Sequence, residues 1–208
     1  MTNKRQKIIV YIDGFNLHYG INGLNQFYKW LDLQILAKSF AQDDDAIISV
    51  KYFTSKLNGS SDSVYRQSIY LDALSRHCSN IKTITGNFVR ARKCKHCDGK
   101  NNEEKQTDVN IACEMMQDLY ESNFDIAYLV SGDSDLVAPV RKIVNMNKVI
   151  IVAFPPNRKS KELIEVASNY FDIKESRLKK CQLPNEIATK RNPLKRPEKW
   201  QKQNKGDI

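Results

Sequence analysis

An α/β domain, with a largely parallel sheet and helices on both faces, is the fold class this sequence predicts, and three observations predict it. Short apolar, β-branched runs recur along the chain: KIIVYI at 7–12, AIISVKYF at 46–53, IAYLV at 126–130 and VIIVAF at 149–154. Stretches with helical spacing of apolar residues separate them. Ile8 to Ile12 is apolar at every position, the pattern of a strand buried on both faces, as happens where helices cover both sides of a parallel sheet.

In chain order, Lys7 to Ile12 reads as the first strand, ended by Asp13 and Gly14. Residues 32–40, DLQILAKSF, have helical spacing with Asp32 as cap, and Ala46 to Phe53 is strand-like. Ser61 to His77 reads as helix, with Val64, Ile69, Leu71 and Leu74 on or near one face. Ile81 to Val89 follows as a strand, then a polar, charged segment. From Thr107 the pattern is helical again, Ile111, Met115 and Leu119 being apolar and Thr107 or Asp108 available to cap the first turn. Strand Ile126 to Val130, a helix around Leu136 to Val144, strand Val149 to Phe154, a helix around Lys161 to Ala167 and an extended piece from Tyr170 to Ile173 complete the body. Helices between consecutive strands demand a mostly parallel sheet. Ligands then collect beyond the carboxyl ends of its strands, where loops and helix N-termini converge.

The 208 residues suit one ordinary domain plus an appendage. The expected division is a domain over 1–176, carrying an insert at about 90–105, and a basic arm over 177–208. No apolar run approaches the ~18 residues of a membrane helix, and MTNKRQK is followed only by IIVYI before Asp13, too short for a signal-peptide core. A soluble, cytoplasmic protein with no membrane partner is expected. Five cysteines, an odd number, argue for reduced thiols.

The net charge of +9 is unevenly placed. From Arg177 onward stand ten basic residues against three acidic ones, so most of the excess sits at the C-terminus. With Pro184, Pro193 and Pro197 and few aromatic residues, this stretch is expected to be a flexible basic tail. Such a tail either attracts phosphate backbones or solubilises the chain. Trp200, between Lys199 and Lys202, offers an indole for stacking on a base.

Chemistry concentrates in the carboxylates. Asp13 follows the first strand, and Asp133 and Asp135 follow the strand ending at Val130; if both strands are central and parallel, three acids share one edge. Asp108, near the start of its helix, reaches the same edge. Glu114 lies six residues on, about 120° around that helix from Asp108, and is a fifth candidate. Like charges this close oppose folding unless a cation sits among them. Oxygen-only donors suit Mg²⁺ or Mn²⁺, which point to phosphodiester hydrolysis. Taken singly, Asp108 and Asp135 read equally well as helix caps. Asn16 can bond an acid, a phosphate or the next helix; Ser131 and Thr107 can position a water; Lys105 can contact phosphate.

As a set, YIDGFNLHYG (11–20), EKQTDVNIA (104–112), LVSGDSDLVAPV (129–140) and FPPNRKSKEL (154–163) resemble the NYN domain family, the PIN-like ribonucleases that include LabA-type bacterial proteins. The resemblance covers residues 7 to about 175. It implies a three-layer α/β/α PIN-like fold and an acid cluster that binds Mg²⁺ or Mn²⁺ to cleave RNA. Asp13 matches the first-strand acid, Asn16 its DxxN partner, Asp108 the helix acid, and Asp133 and Asp135 the SGDSD pair. Where many relatives carry a second helix aspartate, this chain has Glu114. A metal-dependent ribonuclease is the expectation; a non-catalytic RNA-binding module and a nuclease acting on DNA are the alternatives.

The insert, RARKCKHCDGKNNEEK, sets Cys94 and Cys97 at CxxC spacing. Structural Zn²⁺ needs four ligands. The other two would come from His77 and Cys78, from Cys113, or from a second copy of the chain in a homodimer. The other reading is a basic surface hairpin beside the active site, in which Arg90 and Arg92 would hold an RNA backbone. In FPPNRKSKEL, Arg158 is a further phosphate-contact candidate.

Overall fold

The structure is a computed structural model that describes residues 5–42, 45–57, 61–90, 102–190 and 192–201. Arg92 lies outside the described residues, as do Cys94 and Cys97 and with them the expected zinc site; Arg90 and Lys105 are described by backbone alone.

The strands are β1 (Lys7–Asp13), β2 (Ala46–Ser55), β3 (Ile81–Arg90), β4 (Asn102–Lys105), β5 (Ile126–Val130), β6 (Val149–Phe154) and β7 (Asn169–Asp172). They form one sheet in the order β4-β3-β2-β1-β5-β6-β7. All neighbours pair in parallel except β3 with β4, an antiparallel pair running from Asn87↔Lys105 to Arg90↔Asn102. The central strand is β1. The chain builds outward from it through β2 and β3, then returns to its other side for β5, β6 and β7. The carboxyl ends of β1 and β5 therefore flank the point where strand order reverses, the usual place for a ligand crevice in such a sheet.

Two apolar layers hold the helices. The period-2 alternation of β1 sends Ile8, Val10 and Ile12 to one face and Ile9 and Tyr11 to the other. On the first face pack α1 (Gly14–Asn22), α2 (Leu33–Lys38) and α3 (Ser61–His77) through Leu17, Ile21, Leu33, Leu36, Tyr70 and Leu74. On the second pack α4 (Thr107–Tyr120), α5 (Val137–Asn145) and α6 (Lys161–Val166) through Ile111, Met115, Leu119, Val140, Ile143 and Leu163. The expected three-layer α/β/α architecture is thus present, with elements close to the expected positions. Among the described residues no helix is long and apolar enough to cross a membrane.

The C-terminal stretch departs from the expected flexible tail. Residues 177–190 and 192–201 belong to α7 (Glu175–Lys180), an antiparallel pair of β8 (Glu186–Ile187) and β9 (Leu194–Lys195), and a 3-10 turn at Glu198–Trp200. Leu178, Leu183, Ile187 and Trp200 join the first apolar layer. Trp30 Nε1 donates to the Pro184 carbonyl at 2.8 Å, and the Trp30 and Trp200 ring centroids are 6.2 Å apart. Arg196, 4 % exposed, lies over the Phe27 ring at 4.0 Å and donates to the Phe27 carbonyl at 2.6 Å. Apart from buried Arg196, the lysines and glutamates described in this segment face water, while its few apolar residues lie on one surface. Composition averages those two populations and so suggests a tail that cannot fold; on the body of the domain it needs no core of its own.

Candidate metal centre

Each acid is brought to the site by a different element. Asp13 ends β1 in extended conformation and caps α1, its Oδ1 accepting from the Asn16 N–H at 2.9 Å; it is 3 % exposed. The last register pair of β1 with β5 is Ile12↔Val130, which sets Asp13 beside Ser131. Ser131 Oγ donates to Asp13 Oδ2 at 2.9 Å and accepts from the Asp133 N–H at 3.1 Å. Asn16 Oδ1 accepts from the Gly132 N–H at 2.9 Å, so the first-strand turn and the SGDSD loop are tied in two places. Asp108 enters from the first turn of α4.

One carboxylate oxygen from each of Asp13, Asp108 and Asp133 lies within 4.8 Å of the others. That is a hard, all-oxygen donor set, and its chemistry fits Mg²⁺ or Mn²⁺.

Two of the expected acids lie outside this group. Asp135 is exposed, in a 3-10 turn at Ser134–Leu136 that Asp133 caps by accepting the Asp135 N–H at 3.0 Å. Capping thus falls to Asp133, and α5, whose N-cap position is Leu136, has no side-chain cap. Thr107 and Asp108 do not supply the cap of α4 either: Gln106, with φ of 87°, holds that position, and Thr107 Oγ1 meets Ser55 Oγ at 3.3 Å.

Glu114 is held elsewhere, by Lys51 of β2 at 2.6 Å and by Lys82 at 3.4 Å. Lys51 also pairs with Asp118 at 2.5 Å, and the Tyr11 hydroxyl donates to the same Asp118 oxygen at 2.6 Å. Burial alone would lower the Lys51 ammonium, but its bonds to Asp118 and Glu114 reverse this and hold it above its ordinary value, so it stays charged. The network joins β1, β2 and α4 beneath the site and fixes the rotation of α4, and with it the direction of Asp108. Sequence reasoning missed Lys51 and Asp118. The signals were a lysine inside AIISVKYF and an aspartate one residue before Leu119 on the buried side of α4.

The FPPNR turn supports the loop from outside. A side chain at Gly132 would collide with the Arg158 backbone carbonyl, and one at Gly20 would meet Pro155 and Pro156. Arg158 itself is exposed, 5.6 Å from the Tyr19 ring centroid. Gly132→Ala is expected to displace the SGDSD loop, breaking the Asn16 contact, at a cost of about 1–3 kcal/mol, the range for overpacking. Chemical denaturation and a fall in metal affinity would report it; an alanine variant matching wild type in both would refute the tight contact.

Cys78, one of the zinc candidates, is buried and its thiol is pushed up to about 12, first by burial and then by the adjacent Asp32 charge. It donates to Asp32 at 3.6 Å, and His77 contacts the same carboxylate at 3.3 Å. This pair is committed to the α2 cap.

Burial pushes the Asp13 carboxyl up to about 6; the Asn16 and Ser131 hydrogen bonds oppose the rise, and the Asp108 and Asp133 charges add to it. The folded value exceeds the unfolded one, so this group's stabilising contribution is complete below about pH 4 and declines as pH rises through 6. A cation requires the ionised form and reverses the trend. Melting of the metal-free protein is therefore expected to fall across pH 4 to 6, while the stabilisation given by added Mn²⁺ grows over the same window. A Mn²⁺ effect independent of pH would contradict the assignment.

A parallel α/β/α sheet with a carboxylate cluster at its switch point defines a PIN-like domain. The chain belongs to the NYN domain family, which it matches over residues 7–174, and NYN domains are nuclease-like. It is 31 % identical, over 92 % of its length and 74 % of the other's, to 6-hydroxy-3-succinoylpyridine 3-monooxygenase HspA of Pseudomonas putida. Its fold is similar to the crystal structure of a protein of unknown function from Vibrio parahaemolyticus, with a TM-score of 0.57 and 19 % identity over 84 % of this chain and 97 % of that one.

Proposed function

We propose that this protein is a metal-dependent ribonuclease. The observation that carries the reading is the convergence of Asp13, Asp108 and Asp133 within 4.8 Å at the strand-order reversal. When bound there, Mg²⁺ or Mn²⁺ would neutralise charge on the scissile phosphate and make a water more acidic. Asp13, Asp108 and Asp133 would hold the ion. Ser131 orients Asp13 through its hydroxyl and the SGDSD loop through the Asp133 N–H, while Asn16 fixes that loop to α1. Exposed Asp135, beside Asp133, would accept a proton or bind through water. Arg158, with Arg90, Arg92 and Lys105 of the β3–β4 region, would contact the RNA backbone in a salt-sensitive way. The test is cleavage of labelled RNA and of DNA of the same sequence with Mg²⁺, with Mn²⁺ and with EDTA; RNA cut only with metal supports the reading. RNA bound in EDTA but uncut under Mn²⁺ would favour the non-catalytic module, and preferential cutting of DNA would move the substrate.

The Pseudomonas putida relative favours a second reading, an enzyme that hydroxylates a pyridine-type ring. Product analysis with 6-hydroxy-3-succinoylpyridine, dioxygen and a reduced nicotinamide would decide it; recovery of unchanged substrate would rule it out for this compound.

A further inference from the structure

A cleft of about 310 Å³ opens beside the carboxylates on the α1 and α3 side of the sheet. Gly14, which lines it, directly follows Asp13, and Tyr52, which forms a wall, pairs with Ile12 in the β1–β2 register. A Cβ at Gly14 would meet the Tyr52 ring, so the absence of a side chain there is what lets this ring lie against the turn carrying Asp13.

Two features of the lining point to one ligand chemistry. Tyr52, Tyr70 and Trp200 supply aromatic surface, the last two packed edge-to-face with centroids 6.1 Å apart. Lys29, Arg66 and Lys199 converge from three separate segments, and among the described residues no aspartate or glutamate is in the lining. Their closeness is registered at Lys29, whose ammonium is pushed below its ordinary value first by burial and then by the charges of Lys199 and Arg66. Of these three, Lys29 donates to the neutral Asn22 Oδ1 at 2.8 Å, and Arg66 comes no nearer than 4.0 Å to the exposed Asp62. Cations that repel one another around a cavity raise the free energy of the empty form, and an anion relieves this. Aromatic walls add stacking for a flat ring. The volume lies at the lower end of the ~300–1,000 Å³ common for ligand sites and suits one ring with its charged group, not a helix or duplex.

We propose that this cleft binds a planar aromatic ring carrying an anionic group, and that its occupant is the nucleotide next to the phosphate being cut. The choice of occupant rests on the ribonuclease reading; the ring-plus-anion chemistry does not. The C-terminal segment contributes Lys199 and Trp200, so it serves RNA as a fixed wall of the site.

The test is a calorimetric titration of the full chain in EDTA with three probes: 5′-AMP, a single-stranded oligoadenylate and 6-hydroxynicotinate. Arg66→Ala/Lys199→Ala, both away from the apolar core, is expected to weaken binding at least about tenfold, the loss that removal of charged contacts implies. Lys38→Ala/Lys142→Ala removes the same charge at exposed positions outside the cleft and should bind like wild type. AMP and oligoadenylate binding with 6-hydroxynicotinate excluded supports the nucleotide; 6-hydroxynicotinate alone supports the ring-plus-anion site and overturns the nucleotide occupant. No binding of any probe at millimolar concentration, or unchanged binding by the cleft variant, overturns the proposal. The two readings fail separately, because binding is read without metal: an RNA that is bound but never cleaved sinks the ribonuclease and leaves the cleft standing.

Discussion

On the proposed ribonuclease function, Asp133→Asn is expected to abolish metal-dependent RNA cleavage, by at least about a thousandfold, while leaving the protein folded. The magnitude follows from the several kcal/mol of transition-state charge stabilisation that a bound metal supplies, each 1.36 kcal/mol being a factor of about ten. This position separates chemistry from folding better than the other acids. Asn keeps the Oδ1 that accepts the Asp135 N–H and so keeps the turn intact. It also removes one of the charges that push the Asp13 carboxyl upward, so the metal-free variant should melt no lower than wild type. Asp13 is a poorer choice: its two oxygens accept from Asn16 N–H and Ser131 Oγ, and an amide would serve only one of them as acceptor. Cleavage rates with Mn²⁺ and thermal melts on the same samples check the prediction; a variant that still cuts would remove Asp133 from the site.

Lys51→Met is expected to cost about 3–5 kcal/mol, the penalty for leaving a buried charge without its partner. Asp118 is 4 % exposed and would retain only the Tyr11 hydroxyl and the Asn123 amide as donors. Against a total stability of about 5–15 kcal/mol, that is a large fraction. At about 2–4 °C per kcal/mol, the melting temperature should fall by roughly 10 °C. Adding Asp118→Leu to Lys51→Met should recover part of the loss, since it removes the orphaned carboxylate. No recovery in the double variant would assign the cost to packing. Because the network sets the rotation of α4, metal affinity should fall as well, through Asp108.

β1, β2, β5 and β6 were legible because each is a largely apolar run whose residues alternate between two buried faces, a pattern that local sequence carries in full; β4, the polar NEEK, reads in the sequence as a charged segment. The position of Asp13 and Asp133 at strand ends was legible for the same reason. Asp135 was not: a 3-10 turn after Asp133 leaves its carboxylate exposed, and SGDSD alone does not specify that turn. Glu114's place stayed open in the sequence, because helical spacing gives an angle relative to Asp108 but not which side of α4 meets the sheet. The aromatic-walled cleft left no trace in any single segment, its lining coming from stretches as distant as Gly14 and Trp200.

By itself, then, the sequence determined the α/β class, the order of its elements, the family and the acids that end β1 and β5, since all of these rest on local pattern and on motifs of neighbouring residues. Only the tertiary structure decided that Asp108 joins Asp13 and Asp133 while Glu114 turns to Lys51, and that the basic C-terminus packs against Trp30. Those outcomes depend on strand order, helix rotation and buried pairs such as Lys51 with Asp118 and Trp30 with Trp200, whose members lie far apart along the chain and acquire their free energy only once the sheet has brought them together.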